Sequence, residues 1–276
     1  MPSGIKIVCS FNITFDWYTS NGWNDTLRPS SSMKKFISFI PNLLTLGNLF
    51  CGITAIWLTF YAYSDIHIPI YFIFAAALLD VFDGLTARLL HSESAIGGDL
   101  DSLSDIVSFA VAPSFLLLEA LRTNLPDTVD YKWIALPLFV MPLFAAYRLA
   151  KFNRDTRSRR YFYGLPVPAN ALFWIGWSER LIQTESTSVP LIFSLTYSLV
   201  IIMGILMVSN LPLLSLKTHI PSRNRQEKVT NLSLLILGLI GLVIVALWKM
   251  VGFAHFIIVY IIVSPFIIKR IERYKV

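Results

Sequence analysis

Long apolar runs alternate with short polar stretches along most of the chain. Each run approaches the roughly 20 residues that a helix needs to cross a bilayer. Eight spans are predicted, over 37–62, 67–91, 98–121, 132–152, 165–183, 187–213, 230–249 and 252–269. A transmembrane β-barrel would instead show shorter segments of alternating polarity. The pattern therefore predicts an all-α polytopic membrane protein. The third span begins inside an acidic stretch, so its first turns must face protein, metal or water. The fifth is the weakest, with Pro166, Pro168 and Asn170 at its start and Glu179 and Arg180 at its end. Proline is well tolerated in a first helical turn, which is where these two sit.

Residues 1–32 break the pattern. They are polar and lack the charged start and apolar stretch of a signal peptide. They are expected to form a disordered extension, and Met33-Lys34-Lys35 reads as a natural start. Residues 33–213 then form a six-helix core, 214–229 a basic loop, and 230–276 a hairpin with a basic tail.

Composition agrees with this reading: 55% of the residues are hydrophobic and 14% charged. The formal charge of +6 does not indicate nucleic acid, because the Lys and Arg lie in loops beside the spans. With the N-terminus in the cytoplasm, nineteen of the 23 basic residues fall on the cytoplasmic side. Arg122, Lys132, Arg180 and Lys249 fall on the other. That asymmetry predicts a cell-membrane protein with both termini in the cytoplasm. Basic loops also favour anionic membrane lipid. Cys9 and Cys51 are too few for a disulfide framework or a zinc site, and Cys51 reads as a packing residue.

The costly feature is a set of carboxylates at the edges of spans two and three: Asp80, Asp83, Asp101 and Asp105. Acids at membrane depth are rare and mark function. Asp80 and Asp83 are three apart, Asp101 and Asp105 four apart, so each pair shares a helix face. Two such faces turned together make a box that repels itself unless cations fill it. Oxygen donors suit Mg²⁺, Mn²⁺ or Ca²⁺. A two-metal clamp of this type fits phosphoryl-group transfer. Gly84 and Ala87 leave room for a ligand beside the box. Gly97 and Gly98 permit a sharp connection between the helices, and Arg88 can pair with a phosphate or brace an aspartate. The basic loop places Arg148 and Lys151 on the same side of the membrane as the box.

Asp80, Asp83, Gly84, Ala87, Arg88, Gly97, Asp101 and Asp105 spell D-x2-D-G-x2-A-R-x8-G-x3-D-x3-D. In this pattern the chain resembles the CDP-alcohol phosphotransferase family at every fixed position. The resemblance implies a six-helix core, here followed by the two-helix hairpin, that binds a CDP-linked lipid or alcohol. It implies two divalent cations, Mg²⁺ or Mn²⁺, held by the four aspartates. Asp105 would also be the general base, and Gly84, Ala87 and Arg88, with Gly97, would border the nucleotide.

Further segments are similar to the branch that transfers a phosphatidyl group from CDP-diacylglycerol to L-serine. They are PNLLTLGNLFCG (41–52), LSDIVSFAVAP (103–113), RLAKFN (148–153), GLPVPA (164–169) and LMVS (206–209). The resemblance covers about Met33 to Lys217 and also implies a homodimer. Asn42 and Thr45 offer polar groups for pyrophosphate or cytosine, although Asn42 can equally cap a helix. Serine brings a carboxylate, for which Arg148 and Lys151 are the candidates. Membrane anchoring is their alternative role and the stronger reading for Arg157, Arg159 and Arg160. Phe109 and Pro113 read as packing residues, Tyr131 and Trp133 as interfacial ones. His67, His91, His219 and His255 show no metal-ligand spacing. Other acceptors (glycerol phosphate, inositol phosphate), an archaeal ether-lipid donor, or carboxylate-dependent ion transport are the rival functions.

Overall fold

The computed structural model describes residues 31–61, 65–90, 95–125, 135–154, 162–184, 189–214 and 225–272. Side chains are described within these ranges except at 31–38, 88, 95 and 225–227. Residues 1–30, Tyr131, Trp133, His91, His219, Arg157, Arg159, Arg160 and most of the 214–229 loop lie outside the described residues.

Helices occupy the positions of all eight predicted spans. They are α1 (Ser31–Tyr61), α2 (His67–Leu89), α3 (Ala95–Ile106), α4 (Ala112–Arg122), α5 (Val140–Arg154), α6 (Val167–Ile182), α7 (Val189–Val208), α8 (Arg225–Trp248) and α9 (Val251–Glu272). A π turn, Val107–Val111, joins α3 to α4, so these two form one span, Ile96–Arg122. Among the described residues six helical segments are long and apolar enough to cross a membrane. The fourth and fifth predicted spans are shorter. α5 starts after a 3₁₀ turn, Leu136–Phe139, that begins beside Pro137. α6 has 16 residues and starts after Pro166. The sixth ends at Val208 because the chain turns into a strap. Pro212–Leu213 (β2) pairs there with Phe162–Tyr163 (β1) in a short antiparallel ladder.

The helix ends sort themselves into two layers. The start of α1 meets the end of α2, since the Thr45 hydroxyl donates to Asp83 Oδ2 at 2.6 Å. The start of α3 lies on the same part of α1. Ser104 donates to the Thr45 carbonyl at 3.2 Å and Ser108 to the Asn48 carbonyl at 3.0 Å. The end of α5 joins them, Asn153 donating to Ser102 at 2.8 Å. Lys151 carries the end of α7, donating to the Val208 carbonyl at 3.0 Å. All four aspartates therefore sit at one end of the bundle. At the opposite end His67 meets Glu179 at 3.2 Å and Asp65 at 2.7 Å. Asn124 there donates to the Leu181 carbonyl at 3.2 Å.

Two glycines permit close approach of distant segments. A Cβ on Gly52 would strike the Ser108 hydroxyl and lie 2.8 Å from the Ser108 Cα. Gly164 has φ +78°, and a Cβ there would strike the Met207 carbonyl and lie 2.9 Å from the Ser209 carbonyl. The paired motifs noted in the sequence thus touch one another: 41–52 on 103–113, and 164–169 on 206–209. Because backbone, not a flexible tip, opposes each Cβ, overpacking cannot relax locally. Gly52→Ala is expected to cost about 1–3 kcal/mol. A lowered melting temperature of the purified protein, with less folded material, would register it. An unchanged melting temperature would contradict the tight crossing.

The π turn has a local cause. Pro113 has no N–H for the carbonyl of Phe109, and the Ala112 amide instead reaches back to Val107. Phe109 and Pro113 are buried, as packing residues should be, and also set this widened turn. Asp101 and Asp105 before it face the box, while Leu116, Leu117 and Leu121 after it enter the core.

Gly97 and Gly98 do not form the connection between helices two and three as expected. They lie in the first turn of α3, because the helix starts at Ala95. Asn42 does not cap a helix either, since α1 begins at Ser31 and runs through Pro41. Cys51 packs against the apolar core, as its sequence setting predicted. His255 bonds within its own helix, to the Val251 carbonyl.

Candidate active site

Asp80, Asp101 and Asp105 converge. One carboxylate oxygen from each lies within 4.8 Å of the others. Asp105 is buried and Asp80 and Asp101 are half-buried. Asp83 lies beside this trio. It is buried, one of its oxygens takes the Thr45 hydrogen bond, and Asp101 acts on it electrostatically. Three unneutralised carboxylates at such spacing repel one another by about 4 kcal/mol per pair at an effective dielectric near 20. All the donors are hard oxygens at helix ends, so the residues fit Mg²⁺ or Mn²⁺. Asp99 is exposed and not part of the group.

The surroundings explain how the trio is held. Ser104 and Ser108 flank Asp105 and tie α3 to α1 through backbone carbonyls. Thr45 reaches from α1 to Asp83 and so orients a group next to the aspartate trio. Such supporting bonds commonly carry 10- to 100-fold of metal affinity. Thr45→Val is therefore expected to raise the Mn²⁺ concentration for half-maximal activity by about tenfold. Metal titration of the variant measures this, and an unshifted midpoint would remove Thr45 from the supporting shell.

The nucleotide candidates are arranged along the same end. A Cβ built on Gly84 meets nothing within 4 Å, so open space lies beside the helix there. Ala87 on α2, Gly97 on α3 and Asn42 on α1 are each half-buried. The Arg88 side chain lies outside the described residues. The two acceptor candidates part company. Arg148 is buried, its guanidinium 5.3 Å from the centre of the Phe152 ring, and it acts electrostatically on Asp105. Lys151 is exposed and donates to the Val208 carbonyl and to Asn210 Oδ1 at 3.2 Å, which closes the end of α7.

Sequence reasoning passed over Asn48. It is fully buried one turn inward from Thr45, and neither side-chain polar atom has a hydrogen-bond partner. A polar residue at the spacing 41, 45, 48, 52 on a buried helix stripe was the available signal. Ser104 and Ser108 were likewise hidden inside a motif read for its aspartates.

Comparison with known proteins agrees with this geometry. The family model described as CDP-alcohol phosphatidyltransferase matches residues 38–209, which include every aspartate of the box. A Bacillus subtilis protein named CDP-diacylglycerol–serine O-phosphatidyltransferase is 36% identical over 132 residues, covering 48% of this chain and 71% of its own. A Methanocaldococcus jannaschii protein of the same name is 32% identical over 180 residues, covering 65% and 75%. One from Helicobacter pylori (strain 26695) is 32% identical over 231 residues, covering 80% and 87%. The aspartate trio, the multi-pass apolar bundle that holds it and the matched span lead to one assignment: the chain belongs to the CDP-alcohol phosphatidyltransferase family and is a membrane-embedded transferase.

Proposed function

We propose that the protein transfers the phosphatidyl group of CDP-diacylglycerol to the hydroxyl of L-serine, giving phosphatidylserine and CMP. The observation that carries the reaction is the buried Asp105 carboxylate set among Asp80 and Asp101 with Arg148 beside it. In this reading Asp105 takes the serine hydroxyl proton. The serine oxygen bonds to the phosphorus next to the diacylglycerol, and the bond from that phosphorus to the CMP oxygen breaks. Two divalent cations, held by Asp80, Asp83, Asp101 and Asp105, would neutralise charge on the phosphate oxygens. Asn42, Thr45, Gly84, Ala87, Arg88 and Gly97 would border the nucleotide, and the space beside Gly84 supports this.

Serine as acceptor is supported by the name shared by the relatives and by Arg148, whose guanidinium suits a carboxylate. Lys151 is better explained by its bonds at the end of α7. The charge asymmetry favours a cytoplasmic position for this end of the bundle, where a soluble acceptor meets a donor whose tails stay in lipid. A second copy of the chain is the expected partner.

The test supplies CDP-diacylglycerol with labelled serine, glycerol phosphate or inositol phosphate and follows CMP. Serine alone should support release. Release with another alcohol and none with serine would overturn the acceptor, and cation flux without CMP would overturn the chemistry. Arg148→Lys, which keeps the charge and loses the planar fork, is expected to lower kcat/KM for serine about 10- to 100-fold. Unchanged kcat/KM would remove Arg148 from serine binding.

A further inference from the structure

The C-terminal hairpin lies beyond residues 38–209, the span matched to the family, and carries no motif of its own. Its two helices differ in setting. α8 is largely exposed, whereas α9 packs along α6 and against the strap at β2. Two of its buried residues, Tyr260 and Ser264, carry polar groups. Tyr260 is 8% exposed, and its phenol donates a 2.8 Å hydrogen bond to the Leu214 carbonyl.

We propose that Tyr260 is a positioning residue for the acceptor side of the active site, so that the last helix supports that site through the strap. Three contacts form this link. Leu214 is fully buried and directly follows β2, which pairs with β1 and thereby holds the Gly164 turn on α7. Phe162 of β1, the register partner of Leu213, packs its ring 6.3 Å from that of Phe152. The Arg148 guanidinium is in addition held over the Phe152 ring. The strap that Tyr260 anchors is therefore linked through Phe162 and Phe152 to the buried Arg148 guanidinium. The Tyr260 hydroxyl is committed to that strap.

The physical reason is conformational. An arginine side chain carries about 2 kcal/mol of rotamer entropy, and a carboxylate is gripped well only when the planar fork is already placed. The Phe152 face limits one direction, and the strap that Tyr260 anchors holds Phe152 in place through Phe162. Removing the hydroxyl leaves the buried Leu214 carbonyl without its donor, which frees the strap and widens the range of Arg148. The ring and its packing stay. The effect should therefore fall on acceptor binding more than on the donor or on the chemical step. This inference rests on the reading of Arg148 as the acceptor-carboxylate residue.

The test is Tyr260→Phe in the full-length protein, with KM for serine, KM for CDP-diacylglycerol, kcat and melting temperature measured together. A net hydrogen bond of about 0.5–1.5 kcal/mol converts to a rise in serine KM of about two- to tenfold. Donor KM and kcat should change by less than about twofold, which is below the lower bound of that hydrogen bond. In an Arg148→Lys background the same substitution should have a smaller effect on serine KM, because residues coupled through packed neighbours are non-additive. Equal changes in both KM values, or an unchanged serine KM in a folded variant, would overturn the proposal. So would full additivity with Arg148→Lys. If the wild-type protein releases CMP only with another alcohol, serine is refuted. The KM for that alcohol then decides the role of Tyr260 by the same criteria.

Discussion

Asp105→Asn is expected to reduce serine-dependent CMP release by about a thousandfold or more while leaving a folded, purifiable protein. General-base catalysis contributes about 10²- to 10⁴-fold, and an amide cannot take the proton. The change is nearly isosteric, and Asp105 lies between Ser104 and Ser108, whose bonds to α1 do not involve its carboxylate. The crossing should therefore survive, and melting temperature should fall little or rise. A rise is physically reasonable, because one of three mutually repelling carboxylates has lost its charge. Metal titration separates the two roles given to this residue. If Asp105 is only a ligand, high Mn²⁺ should return much of the activity. If it is also the base, activity stays near background at any metal concentration. Recovery toward wild type would remove it as base and leave Asp80 and Asp101 as the remaining proton acceptors of the trio.

The bundle was legible in the sequence because lipid imposes a strong and simple constraint. Every backbone polar group must be satisfied within the chain, so apolar length alone predicts helices. That is why the predicted start and end of α2 and α9 lie within a few residues of those observed. The pair of short helices, α5 and α6, departs from the span lengths because Pro137 and Pro166 delay regular helix at their starts. The aspartates were legible for a related reason: charge is conspicuous where it is expensive.

What stayed hidden is contact between segments that are far apart in sequence. The hydroxyls of Ser104 and Ser108 bond to carbonyls about 60 residues away, and a serine inside an acidic motif carries no periodic signal for that. The same holds for Tyr260, one tyrosine in an apolar helix, whose partner Leu214 is fixed only by folding. Arg148 and Lys151 looked equivalent because both are basic and three residues apart. On a helix that spacing still allows different surroundings, and here one is buried beside Asp105 while the other closes α7. Short-range pattern gives the elements and the costly groups; the partners of each polar atom come from tertiary structure.

Removal of divalent cations is expected to bring CMP release to background and also to lower the melting temperature of the protein. The first effect follows from chemistry: bound cations contribute several kcal/mol of charge stabilisation at a transferring phosphoryl group. The second follows from electrostatics in this chain. Asp80, Asp101 and Asp105 present oxygens within 4.8 Å of one another, and Asp83 adds a fourth acid held by Thr45. A cation that binds this folded cluster and not the unfolded chain stabilises by RT ln(1 + [L]/Kd), about 2.7 kcal/mol at one hundred times Kd. Adding Mg²⁺ or Mn²⁺ to chelated protein should therefore raise the melting temperature in a concentration-dependent manner, with no substrate present. Asp101→Asn should lose most of that rise, because it removes a charge from the centre of the trio. The control is Asp99→Asn, whose exposed carboxylate lies outside the group and should leave the rise intact. A melting temperature that ignores the cations in the wild-type protein would show that the trio does not hold them in the resting state. A rise lost equally in both variants would show general surface charge in place of a defined site. Because the readout needs no turnover, it tests the metal assignment separately from the acceptor and from the base.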